Sequence, residues 1–307
     1  MMADPDRTSA QPPDPAAVDA PAPHLPRAAN TTIWRRLLGH RLFITGVILF
    51  GLVLAMALFA DLLATAAPEK MNVRARFRTP QWAFLLGTDN YGRDIWSRLL
   101  YGSRLSLSIG FAVVLVTGVA GTCIGLLAGY FKRLDGPLMR LRDALMAFPA
   151  ILLAIAIASA LGPSAINAVI ALSAVYTPRT ARIVRGSVLV VREMDYVQAA
   201  LASGARHGWV IWRHILPNSM APLIVQLTFI FAYAVLAESI LSFLGVGPPP
   251  PTPSWGSMIA EGQAYLREAP LMALFPGIAI ALTAMGLNLL GDGLRDVLDP
   301  RLKVQHG

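Results

Sequence analysis

Charge is scarce in this chain. Asp, Glu, Lys and Arg make up 14% of the 307 residues, against about a quarter in soluble domains, while hydrophobic residues reach 55%. That balance excludes an ordinary soluble globule. Cysteine is nearly absent: Cys123 stands alone in an apolar run, so no disulfide forms within the chain and the redox compartment is unreadable. The sequence has no G-x-x-x-x-G-K-[ST], which removes a P-loop, and no H-E-x-x-H, G-x-S-x-G or Cys/His ligand spacing. Its five histidines, at 24, 40, 207, 214 and 306, lie outside the apolar runs or at their ends. Metal or Ser-His chemistry inside a membrane is disfavoured, no catalytic residue or cofactor site is expected, and nothing resembles a nucleic-acid motif. Moving a solute or anchoring partners is the better class.

What the chain has is long apolar runs. A bilayer core of about 30 Å needs about 20 apolar residues per helix. Charge-free runs lie between Arg41 and Asp61, between Arg104 and Lys132, from Ala144 to Pro178, from His214 to Ala237 and from Ala269 to Gly291. The third is too long for one crossing, and Leu161-Gly162-Pro163-Ser164 breaks it with a turn. The expected fold is an all-α integral membrane protein with six transmembrane helices.

Lys and Arg favour cytoplasmic loops. With the amino terminus inside, segments 1–41, 131–143, 179–213 and 292–307 hold 18 of the 26, and both termini are cytoplasmic. A basic cluster in 65–104 blunts this bias. The net charge of +8 suits contact with anionic inner-leaflet lipid. Residues 1–31, rich in Pro and Ala, have too few large apolar groups to fold and read as a disordered tail. The span that follows lacks a cleavage site and reads as a retained anchor.

Between the fourth and fifth spans lies QAALASGARHGWVIWRHILP, residues 198–217. Asp195 is suited to cap a helix and Gln198 to reach back to it, as in a capping box. Ala199 and Ala200 continue the helix, and Gly204 suits a left-handed C′ position. A second piece, Arg206 to Ile215, is expected to end before Pro217. Two short helices at an angle, rich in exposed apolar residues, suit a docking lobe. An amphipathic loop with Trp209 and Trp212 at headgroup level is the alternative.

Other stretches carry polar candidates. Thr88, Asp89, Asn90, Tyr91, Gly92, Arg93 and Asp94 place an arginine between two carboxylates, either as ion pairs on a surface helix or as an external lobe that receives a partner. Gly121, Gly125 and Gly129 repeat every four residues, a ladder for close helix packing. Pro149 and Pro276 fall inside expected spans, as static kinks or as hinges. Glu238 is the one acid deep in an apolar context, with Asn167 and Asn288 as weaker translocation-path candidates. Glu238 either contacts the substrate path or makes a structural hydrogen bond to a neighbouring subunit. The Pro-rich run Gly247 to Pro253 reads as a stiff external strut.

Q-A-A, three residues, Gly, nine residues and H-I-L-P resembles the EAA loop of binding-protein-dependent ATP-binding-cassette importers. The matched positions are Gln198, Ala199, Ala200, Gly204, His214, Leu216 and Pro217. The family usually has Glu at Gln198, so this chain lacks a favourable anion of about 0.3–1 kcal/mol at a helix start. His214, within Arg213–Asn218 (R-H-I-L-P-N), fits the peptide-type branch. LGTDNYGRDIWSRLLYGSRLSL (86–107), DGPLMRLRDALMAFPAILLAIAIASALG (135–162), ESILSFLGVGPPPPTPSWGSMIAEG (238–262) and GLNLLGDGLRDVLDPRLK (286–303) are similar to the dipeptide/oligopeptide permeases. WRRLLGHRL resembles the amino-terminal module of the "C" member of the permease pair.

The resemblance covers 33–303 and implies a type I importer transmembrane domain in a bacterial inner membrane, multi-pass. It divides the chain into a tail (1–31), an N-terminal module with the first span (32–64), an external segment (65–103), the transmembrane domain (104–293, coupling loop 194–217) and a cytoplasmic tail (294–307). It implies four kinds of partner: a homologous "B" permease, two cytosolic ATPase subunits that use ATP and Mg2+, an extracytoplasmic solute-binding protein, and membrane lipid. This chain then carries di- or oligopeptides or a related solute and binds no nucleotide itself. A stand-alone channel or secondary carrier is the first rival, an intramembrane enzyme the second.

Overall fold

The computed structural model describes residues 33–298. The expected tail 1–31 and the last nine residues, with the end of the 286–303 block, lie outside it. In chain order the helices are α1 (Ile33–Gly39), α2 (Arg41–Leu58), α3 (Ala60–Leu63), α4 (Ile95–Tyr130), α5 (Lys132–Met146), α6 (Ala150–Leu161), α7 (Ala165–Arg192), α8 (Asp195–Ala202) and α9 (His207–Val210). A π-turn, Ile211–Ile215, leads into α10 (Leu216–Phe243), followed by α11 (Trp255–Gly262) and α12 (Leu271–Leu298). Among the described residues only isolated bridges have extended pairing.

Small residues let the long helices close on one another. A Cβ on Gly121, Gly125 or Gly129 of α4 would stand 2.6–2.7 Å from the Cβ of Thr180, Val184 or Val188 of α7. The ladder is therefore a packing seam, and α4 and α7 form the central pair. Across the bundle α2 docks on α12, where the Cβ of a residue replacing Gly286 would come 2.8 Å from the Phe50 amide nitrogen. Helix α10 packs against α4, α7 and α12.

By length and composition four helices can cross a membrane: Arg41–Leu58, Ile95–Tyr130, His207–Phe243 and Leu271–Leu298. The pair α5–α6, bent by 89°, adds a fifth as a broken span. The expected six is not reproduced on this criterion. Helix α7 is long enough, but Arg179, Arg182 and Arg185 make its second half polar. The sequence places those arginines in a cytoplasmic segment beginning at residue 179, yet the helix continues to Arg192. Pro149 is likewise not inside a helix. It occupies the N-cap of α6 at the 89° bend, because a residue without an amide donor interrupts the α5 ladder. Helix α6 has 12 residues and spans about 18 Å, too short to cross alone. Pro276 does sit within α12. The proline run turns at 250–251 instead of running as a straight strut.

Candidate functional site

At one end of the bundle, residues 194–217 form a lobe beyond the α4–α7 seam. Helix α8 starts at Asp195, with Met194 at the N-cap and no side-chain cap. Gln198 does not reach back to Asp195: its Nε2 donates to the Arg192 carbonyl at 2.8 Å, sewing α8 to the end of α7. The expected capping box is absent because Asp195 is already the first helical residue. Gly204 adopts φ +83°, and the Gly204 and Ala205 amides donate to the Leu201 and Ala200 carbonyls at 3.0 and 3.1 Å. That is a Schellman turn, and only glycine adopts its central conformation without strain.

The second piece does not end before Pro217. It passes through the π-turn into α10, with Pro217 in that helix's first turn. Proline has no amide to offer, and its ring crowds the carbonyl four residues back; a widened turn accommodates both. From His207 on, lobe and span are consequently one continuous rod.

Val197, Val210 and Ile215 anchor the lobe in a buried cluster with Tyr130, Val184, Val188, Val191 and Leu223. Tyr130 Oη and His207 Nδ1 share a hydrogen bond of 2.7 Å, and Arg192 Nη1 donates to the Gly129 carbonyl at 2.9 Å. Tyr130→Phe is expected to cost about 0.5–1.5 kcal/mol and to speed amide exchange in 205–215, read by hydrogen–deuterium exchange. The outer surface is left apolar and unpaired: Trp209 is 52% exposed and Trp212 73%. His214 lies 5.0 Å from the Trp209 ring and 5.6 Å from Tyr196. Gln198, Ala199, Gly204, Arg213 and Pro217 are exposed, and Ala200, His214 and Leu216 are half-buried. A cleft of about 820 Å³ opens beside the lobe between Phe131, Lys132 and Arg133 on one wall and Gln198, Leu201 and His207 on the other.

The opposite end holds residues 65–94 and α11. The expectation of ion pairs on a surface helix fails here. Thr88, Asp89, Arg93, Asp94 and Arg98 are all buried. Arg93 Nε and Arg98 Nη1 both donate to Asp89 Oδ2 at 2.6 Å. Arg98 also donates to Glu261 Oε2 and Oε1 at 2.8 and 3.1 Å, and Arg93 Nη2 donates to Glu261 Oε2. Arg93 is thus set between Asp89 and Glu261, not between Asp89 and Asp94. Asp94 caps α4 instead, accepting from the Ser97 amide at 2.9 Å and from Thr65 Oγ1 at 2.6 Å. Gly92, at φ +73°, passes so close to the Asn72 carbonyl that no side chain fits. Glu261 is the acidic partner that motif spacing missed, since Arg93 and Arg98 lie more than 160 residues away.

Of the three translocation-path candidates, Glu238 and Asn167 make hydrogen bonds within this chain. Glu238 is 0% exposed. Ser242 Oγ donates to its Oε1 at 2.6 Å, while Oε2 has no hydrogen-bond partner among the described residues. The Ser242 bond lies within α10, because the serine four residues on faces the same way. Asn167 Nδ2 donates to the Leu161 and Gly162 carbonyls, both at 2.9 Å, and closes the α6–α7 turn. Asn288 is half-buried on α12.

Residues 121–304 match the family of the binding-protein-dependent transport system inner membrane component, and residues 31–80 match the N-terminal transmembrane domain of oligopeptide transport permease C. A Brucella abortus protein named as a peptide transport system permease is 54% identical over 271 residues, covering 88% of this chain and 92% of its own. A dipeptide transport system permease of Alkalihalophilus pseudofirmus is 44% identical, with coverage of 88% and 89%. A glutathione transport system permease of Pectobacterium atrosepticum is 41% identical, with coverage of 88% and 90%. The crystal structure of an amino acid ABC transporter superposes with a TM-score of 0.50 at 18% identity, covering 67% of this chain and 94% of that one. At that identity it bears on the fold alone.

Proposed function

The chain belongs to the family of binding-protein-dependent inner membrane transport components, and from that premise we propose that it carries di- or oligopeptides, or a related small solute, as the "C" permease of a pair. The observation that supports this most is the lobe 194–217, which is bent at a glycine turn, apolar outside and, from His207 on, continuous with α10. A cytosolic ATPase subunit grips it there. When two such subunits close on ATP and Mg2+, the lobe moves, α10 moves with it, and the passage between the two permeases opens outward. The present chain supplies the grip and half the passage, and the chemistry of ATP belongs to its partners.

In this arrangement the crossings are six: α2, α4, the bent α5–α6 pair, α7, α10 and α12, with both termini in the cytoplasm. The chain then divides at 31, 64, 103 and 293 as the resemblance implies, although α4 runs unbroken through 103–104. The external end, braced by Asp89, Arg93, Arg98 and Glu261, receives the loaded solute-binding protein. Thr88, Gly92 and Asp94 shape that end and do not themselves touch the partner.

Co-purification tests the grip. Tagged full-length chain, expressed with its permease partner and ATPase subunits, is expected to retain the ATPase. Gly204→Val strains the left-handed turn by about 1–2 kcal/mol and is expected to lower retention about tenfold while membrane insertion is unchanged. Absence of any ATPase from the wild-type complex would remove the proposal's support.

A further inference from the structure

Arg179, near the middle of α7, has no carboxylate partner among the described residues. It is the fifteenth of the 28 residues of α7 and is exposed. Its guanidinium lies 5.4 Å from the centre of the Tyr233 ring on α10, and Tyr176 Oη donates to the Tyr233 carbonyl at 3.4 Å. Depth follows from register. Phe231, two residues before Tyr233, contacts Phe50 at 5.6 Å, and Phe50 is the tenth of the 18 residues of α2. The Arg179 head therefore sits level with the middle of a span.

Among the described residues no carboxylate pairs with it. The nearest acid on α10, Glu238, is fully buried and bonded to Ser242, and Asp143 pairs with Arg142. Arg182, one turn along α7, is also exposed, and among the described residues it donates to the Met146 sulfur at 3.3 Å. A charged side chain at this depth is costly when it faces lipid, and such groups almost always face a bundle interior or a water-filled cavity. Stacking on an aromatic face holds a guanidinium in one plane and leaves its fork of donors open. A carboxylate matches that fork in two parallel hydrogen bonds.

We propose that Arg179, held on the face of Tyr233, binds the terminal carboxylate of the peptide as it crosses the passage. This rests on the peptide-transport reading above. Tyr176 and Tyr233 act as positioning residues, and Arg182 is a second cation farther along the same helix. Once the carboxylate is released by the binding protein it meets this guanidinium, which compensates the charge at the depth where water is scarcest.

The test uses the whole transporter in proteoliposomes, with dialanine and dialanine amide as probes. Arg179→Gln is expected to reduce dialanine uptake about tenfold, the low end for a lost hydrogen bond to a charged group, with Arg179→Lys in between and ATP hydrolysis maintained. The preference for acid over amide should narrow by the same factor, a change that a merely structural arginine would not produce. Any preference set by the binding protein is common to wild type and variant and cancels. Unchanged uptake overturns the assignment, as does an equal fall for acid and amide. So does loss of the partner permease from the Arg179→Gln complex, which would make the arginine an intersubunit contact. Wild-type vesicles that take up no peptide at all would sink the transport reading, and this inference with it, before any variant is compared.

Discussion

Asp89→Asn is expected to destabilise the protein by about 3–5 kcal/mol, the range for removing one partner from a buried charge cluster. Asp89 is 0% exposed and its Oδ2 holds two guanidinium groups at once, while its Oδ1 accepts the Tyr91 and Arg93 amides at 2.8 and 2.9 Å. Asparagine keeps the shape but leaves two arginines sharing Glu261 alone. Thermal unfolding in detergent measures the loss. Pairs on a surface helix would give only about 0–1 kcal/mol, so the size of the effect separates the two arrangements. A double variant, Asp89→Asn with Arg93→Gln, should lose less than the sum of the two, because the second change removes a charge that the first stranded.

Gly125→Leu comes next, at about 3 kcal/mol or more, the upper range for overpacking. The new Cβ alone would stand 2.6 Å from the Val184 Cβ and 2.8 Å from the Ala181 carbonyl oxygen. The backbones of α4 and α7 cannot separate there without opening the seam along three turns. Gly51→Leu on α2, where nothing lies within 4 Å, is the control and is expected to change stability by no more than about 0.5 kcal/mol. Yield of folded protein and unfolding temperature read both. A Gly125→Leu protein as stable as the control would mean the seam is not close-packed.

Much of this was readable from residue order. Helices α2, α4, α10 and α12 announce themselves as apolar runs, and the glycine ladder states its spacing outright. Gly204 and the Leu161–Ser164 break carry turn chemistry that a single sequence displays. What failed has two causes. A charge in the sequence looks like the end of a span, which puts Arg179 in a loop, although its helix continues for 13 residues beyond it. Pairing across distance was also invisible: nothing near Arg93 or Arg98 points to Glu261. Pro217 misled because a proline usually marks a helix end, whereas here the chain widens to accommodate it.

That widening at Ile211–Ile215 lets the rod carry one residue more than a regular α-helix of the same length. An α-helix turns about 100° per residue, so an extra residue left in a regular helix would swing Trp209 about a quarter-turn relative to α10. A π-turn absorbs that residue instead. The direction of Trp209 is therefore kept while the backbone makes room for Pro217, as a slack link keeps two gears in mesh.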